Sequence, residues 1–163
     1  MTAMLTLPTS RQTLLLLIFF AAVLSASGFV LEYGFGVLPC KMCWWQRYAH
    51  WAILALTMTA YTLPQAQRPA TMAIGVAALT GLGIAVWQFA AQHGWLPFPA
   101  SCVSDASQAF SSADDLLNNL NRVKIVPCDK ETFKLLGLSL AGWNIPAMLA
   151  ILGLSVYGLF RRS

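Results

Sequence analysis

The chain has 163 residues, 58% of them hydrophobic and only 10% charged, a balance that a water-soluble domain of this size cannot present on its surface. This composition predicts an integral membrane protein in contact with a lipid bilayer. The formal charge of +4 does not point to nucleic acid, because the basic residues form no stripe with aromatics between them, and membrane orientation is the role left for them.

The first apolar run, about 13–31, follows Arg11 and measures about 29 Å as a helix, enough to cross a hydrocarbon core. Its rival reading is a signal peptide with Ser25-Ala26-Ser27 as the cleavage site. Against cleavage, the run continues through Phe29, Val30 and Leu31, and removal would leave three spans with the chain ends on opposite sides. A second span is expected over about 44–63, with Trp44, Trp45, Tyr48 and Trp51 at one interface, Tyr61 near the other, and Pro64 stopping it. The polar stretch 64–69, broken twice by proline, reads as a tight connection to a third span over about 70–92. There Gly75, Gly81 and Gly83 suit close helix contact.

From about 93 to 142 the composition turns to Ser, Asp, Asn, Pro and Lys, which irregular chain cannot carry into lipid, so this is a long aqueous loop. Within it Ser112, ahead of Ala113-Asp114-Asp115, has the form of a helix cap with acids in the first turn. The segment 132–140 is too short to span and is expected along the interface. Asn144 is expected to cap a last helix over about 144–160, with Pro146 tolerated in its first turn. The predicted fold is all-α: four transmembrane helices in an antiparallel bundle, residues 1–163 forming one membrane domain, with the long loop between helices 3 and 4.

With four spans, Cys40, Cys43, Cys102 and Cys128 fall on one side and both termini with Arg11, Arg68, Arg161 and Arg162 on the other. Every acid lies on the cysteine side, and the basic termini then belong in the cytoplasm. Outward-facing cysteines can persist as disulfides. No Asp, Glu or Lys is expected inside any span, so a proton or ion relay through the bundle has no obvious carriers.

Pro39-Cys40-Lys41-Met42-Cys43 puts a Cys-x-x-Cys pair at the start of a helix, where unpaired amides favour a thiolate. Four cysteines allow three pairings, and proximity favours Cys40 with Cys43. Cys102 and Cys128 then either staple the loop or form an exchanging disulfide within it. Zinc would draw two short-spaced pairs, and only one is present; a soluble thioredoxin-like fold would need a strand and helix alternation that the chain lacks. Arg47 lies four residues after Cys43, with His50 and Leu54 following on that stripe. It either sits beside the sulfur, where it can also hold a carbonyl oxygen that becomes anionic on reduction, or snorkels to headgroups. His50 and His93 are weaker candidates, and Gln88 and Gln92 read as packing contacts between helices.

Taken together, Pro39, Cys40, Cys43 and Arg47, the four spans, the second cysteine pair in the last outward loop, and Leu136-Gly137-Leu138-Ser139-Leu140 before the final helix resemble the disulfide bond formation protein B (DsbB) family, over nearly the whole chain. The resemblance implies an enzyme of the bacterial inner membrane, a thiol:quinone oxidoreductase that reoxidises a periplasmic DsbA-like thiol oxidase and passes electrons to the quinone pool. It implies disulfides Cys40–Cys43 and Cys102–Cys128, the first exchanging electrons with ubiquinone or menaquinone, Arg47 holding the quinone, and the second accepting electrons from the soluble partner. An acid often precedes the arginine in the family, whereas this chain has Gln46. Two rival classes are a membrane scaffold with structural disulfides and a distant vitamin K epoxide reductase-like enzyme, whose order of cysteine pairs is the reverse of this one.

Overall fold

In a computed structural model of the protein, which describes residues 10–99, 102, 128 and 134–160, four long helices pack side by side. Helix α1 spans Ser10–Phe29 and runs on through a π-helical turn, Val30–Gly34. Helix α2 spans Lys41–Thr62, and a 3₁₀ turn, Pro64–Ala66, leads into α3, Gln67–Gln92. Strands β1, Lys134–Leu135, and β2, Leu138–Ser139, form a hairpin ahead of α4, Leu140–Phe160. The helix cap expected at Ser112 and the terminal Arg161 and Arg162 lie outside the described residues.

The core is built from small and aliphatic side chains of all four helices: Leu17 and Ala21 of α1, Ala49 and Ile53 of α2, Ile74 and Ala78 of α3, and Met148 and Ile151 of α4. Helix α2 packs against α1 and α3, and α3 also packs against α4. Outward faces carry Phe19, Phe20, Val76, Leu79, Leu149 and Val156, an apolar exterior that suits lipid rather than water. Because lipid gives apolar side chains no drive to associate, contact depends on close approach between small residues. Gly81 provides it: a Cβ there would stand 2.7 Å from Met148 Cε and 3.2 Å from Ala49 Cβ. Gly75 and Gly83, expected to share that role, have nothing within 4 Å of where a Cβ would be.

Among the described residues, three helical stretches are long and apolar enough to cross a membrane: Ser10–Gly34, Pro64–Gln92 and Leu140–Phe160. The first corrects an expectation, since the π turn carries the helix past Leu31 and takes Glu32 into it. Helix α2 matches the others in length but holds Gln46, Arg47 and His50 in its first half, all buried against its neighbours.

The start of α4 also differs from expectation. Ser139 Oγ accepts from Gly142 N at 3.2 Å, so the cap falls five residues before Asn144. Asn144 is thereby freed from capping and turned, buried, into the bundle. Pro146 sits inside the helix rather than in its first turn. The hairpin before α4 turns on Leu136 and Gly137, both with positive φ (53° and 83°), as a two-residue type I′ turn requires. Trp143 Nε1 ties it to the helix by donating to Leu135 O at 2.9 Å.

A sulfur cluster beside a cavity

Pro39 holds the chain extended into α2, and Cys40 takes the N-cap position with φ −74° and ψ 171°. Its sulfur accepts from Cys43 N at 3.3 Å, the cap bond a serine oxygen makes elsewhere. Cys43, in the first turn, comes back over it, and the two Sγ atoms stand 2.6 Å apart. Cys40 and Cys43 are present as two thiols rather than as a closed disulfide. Burial follows: Cys40, Cys102 and Cys128 form one buried cluster with Met42, against which Cys43, Trp45, Ile84 and Phe98 pack. The structure thus gathers residues 40, 102 and 128, far apart in sequence, around the cap of α2.

The two sulfurs of the pair face different surroundings. Cys40 belongs to the cluster with the loop cysteines, whereas Cys43 lines a cavity of about 170 Å³. Sharing a proton with Cys43 Sγ, and then burial, pushes the Cys40 thiol well above the usual thiol range. Cys40 therefore keeps its proton at neutral pH.

The cavity is walled by Leu24 and Leu31 from the first helical stretch, Val37 and Leu38 from the connection, and Leu140 and Trp143 of α4. Its polar members are Ser27, Cys43, Gln46, Arg47, His50, Gln88 and Asn144. Arg47 does not snorkel: it is buried, and its guanidinium pairs with Glu32 through Nη1 and donates from Nη2 to Gly28 O at 2.7 Å. It also lies over the rings of Trp44 and Phe29, 5.0 and 5.6 Å from their centroids. Gly28 permits this approach, since a Cβ there would be 3.1 Å from Arg47 Nε. Sequence reasoning missed both Gly28 and Glu32, because nothing in their local pattern marks them as partners of a residue one helix away.

The side chain that donates to the sulfurs is instead Gln88, whose Nε2 lies 3.5 Å from Cys40 Sγ and 3.6 Å from Cys43 Sγ. Gln88 is thus more than a packing contact. Gln92 bonds Ser139 Oγ at 2.8 Å, away from the sulfurs. Of the two histidines, His50 lines the cavity, while His93 Nδ1 meets Phe89 O at 2.9 Å and its ring lies tilted against Phe89 and Trp95 outside it.

Buried thiols gathered at a helix cap, beside an apolar cavity, within a set of membrane-crossing helices define an integral membrane protein built for thiol and disulfide chemistry. The comparisons with known proteins agree in kind. The family model described as "Disulfide bond formation protein DsbB" matches residues 10–158. The chain is 28% identical to the disulfide bond formation protein B of Methylococcus capsulatus, covering 96% of each chain. It is 28% identical to that of Verminephrobacter eiseniae over 94% of this chain and 88% of the relative. With that of Actinobacillus pleuropneumoniae identity is 26%, over 86% and 80%. No solved structure matches significantly. The chain belongs to the DsbB family, and is a disulfide oxidoreductase of the membrane by that membership.

Proposed function

We propose that the protein is a thiol:quinone oxidoreductase of the bacterial inner membrane, which reoxidises a periplasmic DsbA-like dithiol and hands the electrons to ubiquinone or menaquinone. The observation that carries this reading is the division of the sulfur pair, with Cys40 packed among the loop cysteines and Cys43 on the cavity wall. In this reading α1 to α4 all span, as an antiparallel bundle and a single domain, with both termini cytoplasmic and the cysteines periplasmic. Two contacts support it. Arg11 at the start of α1 bonds Tyr61 near the end of α2 at 2.9 Å, and Glu32 beyond the end of α1 pairs with Arg47 near the start of α2. Helix α2 is read as a span because Gln46, Arg47, His50 and Thr57 are buried, the exposed Thr59 and Thr62 hydroxyls bond carbonyls of their own helix, and its outer face also shows Tyr48, Ala52, Ala55 and Met58.

The cavity fits a quinone head group in size and chemistry. Its volume of about 170 Å³ is on the scale of the ~150 Å³ apolar cavity that takes up benzene. Apolar walls cover ring faces, and Arg47 supplies a cation for an oxygen that gains charge. A bound quinone supplies a two-electron acceptor. The chain's own residues do the rest. A partner thiolate attacks the Cys102–Cys128 disulfide at Cys102, and the partner's second thiol later resolves this mixed disulfide. Cys128, freed, attacks Cys40, and Cys43 leaves as a thiolate facing the cavity. Cys102 then recloses on Cys128, releasing Cys40 with its proton. Finally Cys40 and Cys43 give up two electrons and two protons and rejoin.

The test is steady-state quinone reduction by the purified protein with a reduced thioredoxin-fold dithiol as donor. Native protein turns over and Cys43→Ala does not. Absence of native turnover across several quinones and donors would replace this reading with that of a scaffold.

A further inference from the structure

Two glutamines, an asparagine and a histidine from three helices form one hydrogen-bonded file that ends on the sulfur pair. His50 Nε2 lies 3.0 Å from Asn144 Oδ1, Asn144 Nδ2 donates to Gln46 Oε1 at 2.8 Å, and Gln46 Nε2 donates to Gln88 Oε1 at 2.9 Å. Gln88 Nε2 is left to meet the sulfurs, at 3.5 and 3.6 Å. All four side chains are buried. Each amide has one donor end and one acceptor end, so the orientation of one dictates the next.

Such a file runs in one of two senses. In the structure every donor points towards sulfur, which suits a thiolate; reversed, a carbonyl oxygen would face the pair, which suits only a thiol donating S–H. The far end reports the same choice. With donors towards sulfur, His50 carries its hydrogen on Nε2 and keeps Nδ1 as an acceptor; reversal exchanges the two. The guanidinium hydrogen bonds of Arg47 go to Glu32 and Gly28, so the side-chain donor on the sulfurs is Gln88.

We infer that Gln88 is a catalytic hydrogen-bond donor to the Cys40–Cys43 sulfurs, held with its N–H on them by Gln46, Asn144 and His50, which act as positioning residues. The inference rests on the reading of that pair as exchanging thiols. It assigns the side-chain hydrogen bond to the sulfurs to Gln88 of the bundle interior rather than to the arginine.

The experiment uses the full chain in lipid nanodiscs, with Cys40, Cys102 and Cys128 replaced by Ala so that iodoacetamide reports Cys43 alone. At pH 7 the alkylation rate falls about tenfold in Gln88→Leu, as expected for a lost hydrogen bond to a charged group. In Asn144→Leu, acting through two hydrogen bonds, it falls about threefold. Gln92→Leu, one turn beyond Gln88 and bonded to Ser139, leaves it unchanged. Rates within about twofold of the parent in both Gln88→Leu and Asn144→Leu would overturn the inference. A second measurement needs no variant: the chain has two histidines, so ¹⁵N-histidine NMR of the reduced native protein resolves His50. Hydrogen on Nε2 in the thiolate form is the expected result, and hydrogen on Nδ1 overturns it. Failure of native quinone turnover would remove the thiol:quinone reading without moving either readout, so the two claims fall separately.

Discussion

Replacing Glu32 by Gln removes the carboxylate that neutralises Arg47 while leaving an acceptor oxygen in its place. Breaking one side of a fully buried ion pair costs about 3–5 kcal/mol. An exposed pair is worth only ~0.2–1 kcal/mol. The side chains of Arg47 and Glu32 are 11% and 17% exposed, near the buried limit. Arg47 also keeps the Gly28 carbonyl and the rings of Trp44 and Phe29 after the change, which moderates the loss. The expected destabilisation is therefore about 2 kcal/mol, a factor of roughly 30 in the folding equilibrium. The assay is reversible unfolding in detergent micelles, run as a double-mutant cycle with Arg47→Gln. A coupling energy of about 1.5 kcal/mol or more is expected. Glu32→Gln also raises the KM for quinone, because the Nη1 side of the guanidinium loses its charged anchor and is held less firmly on the cavity wall, while Nη2 stays on Gly28 O. A coupling below about 0.5 kcal/mol would refute the reasoning, since the pair would then behave as an exposed one.

Gly28→Ala places a Cβ 3.1 Å from Arg47 Nε and displaces the guanidinium by a few tenths of an ångström. Quinone KM rises about threefold to tenfold in steady-state kinetics, with kcat little changed. Ser139→Ala removes the cap bond to Gly142 N and lowers stability by about 1 kcal/mol in thermal unfolding, the loss expected of a cap and not of an exposed hairpin residue. The Cys40 thiol is raised in the folded state, so its contribution to stability is complete below the ordinary thiol value of about 8.5 and is lost as pH climbs beyond it. Unfolding of the reduced protein measured from pH 7 to 10 shows this decline, and Cys40→Ala flattens it.

The helices were legible because an apolar run of span length has few alternatives, and the proline at residue 64 and the cap at Cys40 mark their ends directly. The cysteines were legible for a different reason: a Cys-x-x-Cys spacing announces its own geometry. What the sequence did not show is which polar residues face one another across the bundle. Asn144 read as a cap because it stands two residues before a proline, but Ser139 had already satisfied the first amides, which sent Asn144 inward to Gln46 and His50. Glu32 read as lying beyond the first span, and only the π turn carries it onto the face where Arg47 waits. Gln88 and Gln92 share a helix face and look equivalent in sequence; the sulfurs distinguish them, since only Gln88 reaches both.

The most direct measurement of the relay is single-turnover oxidation of the prereduced protein by quinone, compared with electron delivery from the reduced dithiol partner. If Cys40 serves the loop and Cys43 the cavity, the double variant Cys102→Ala, Cys128→Ala still reduces quinone at close to the native single-turnover rate but accepts nothing from the partner, whereas Cys43→Ala abolishes quinone reduction while its loop disulfide still accepts one electron pair from the partner. Quinone reduction that survives Cys43→Ala, or that is lost with the loop cysteines alone, would contradict the account.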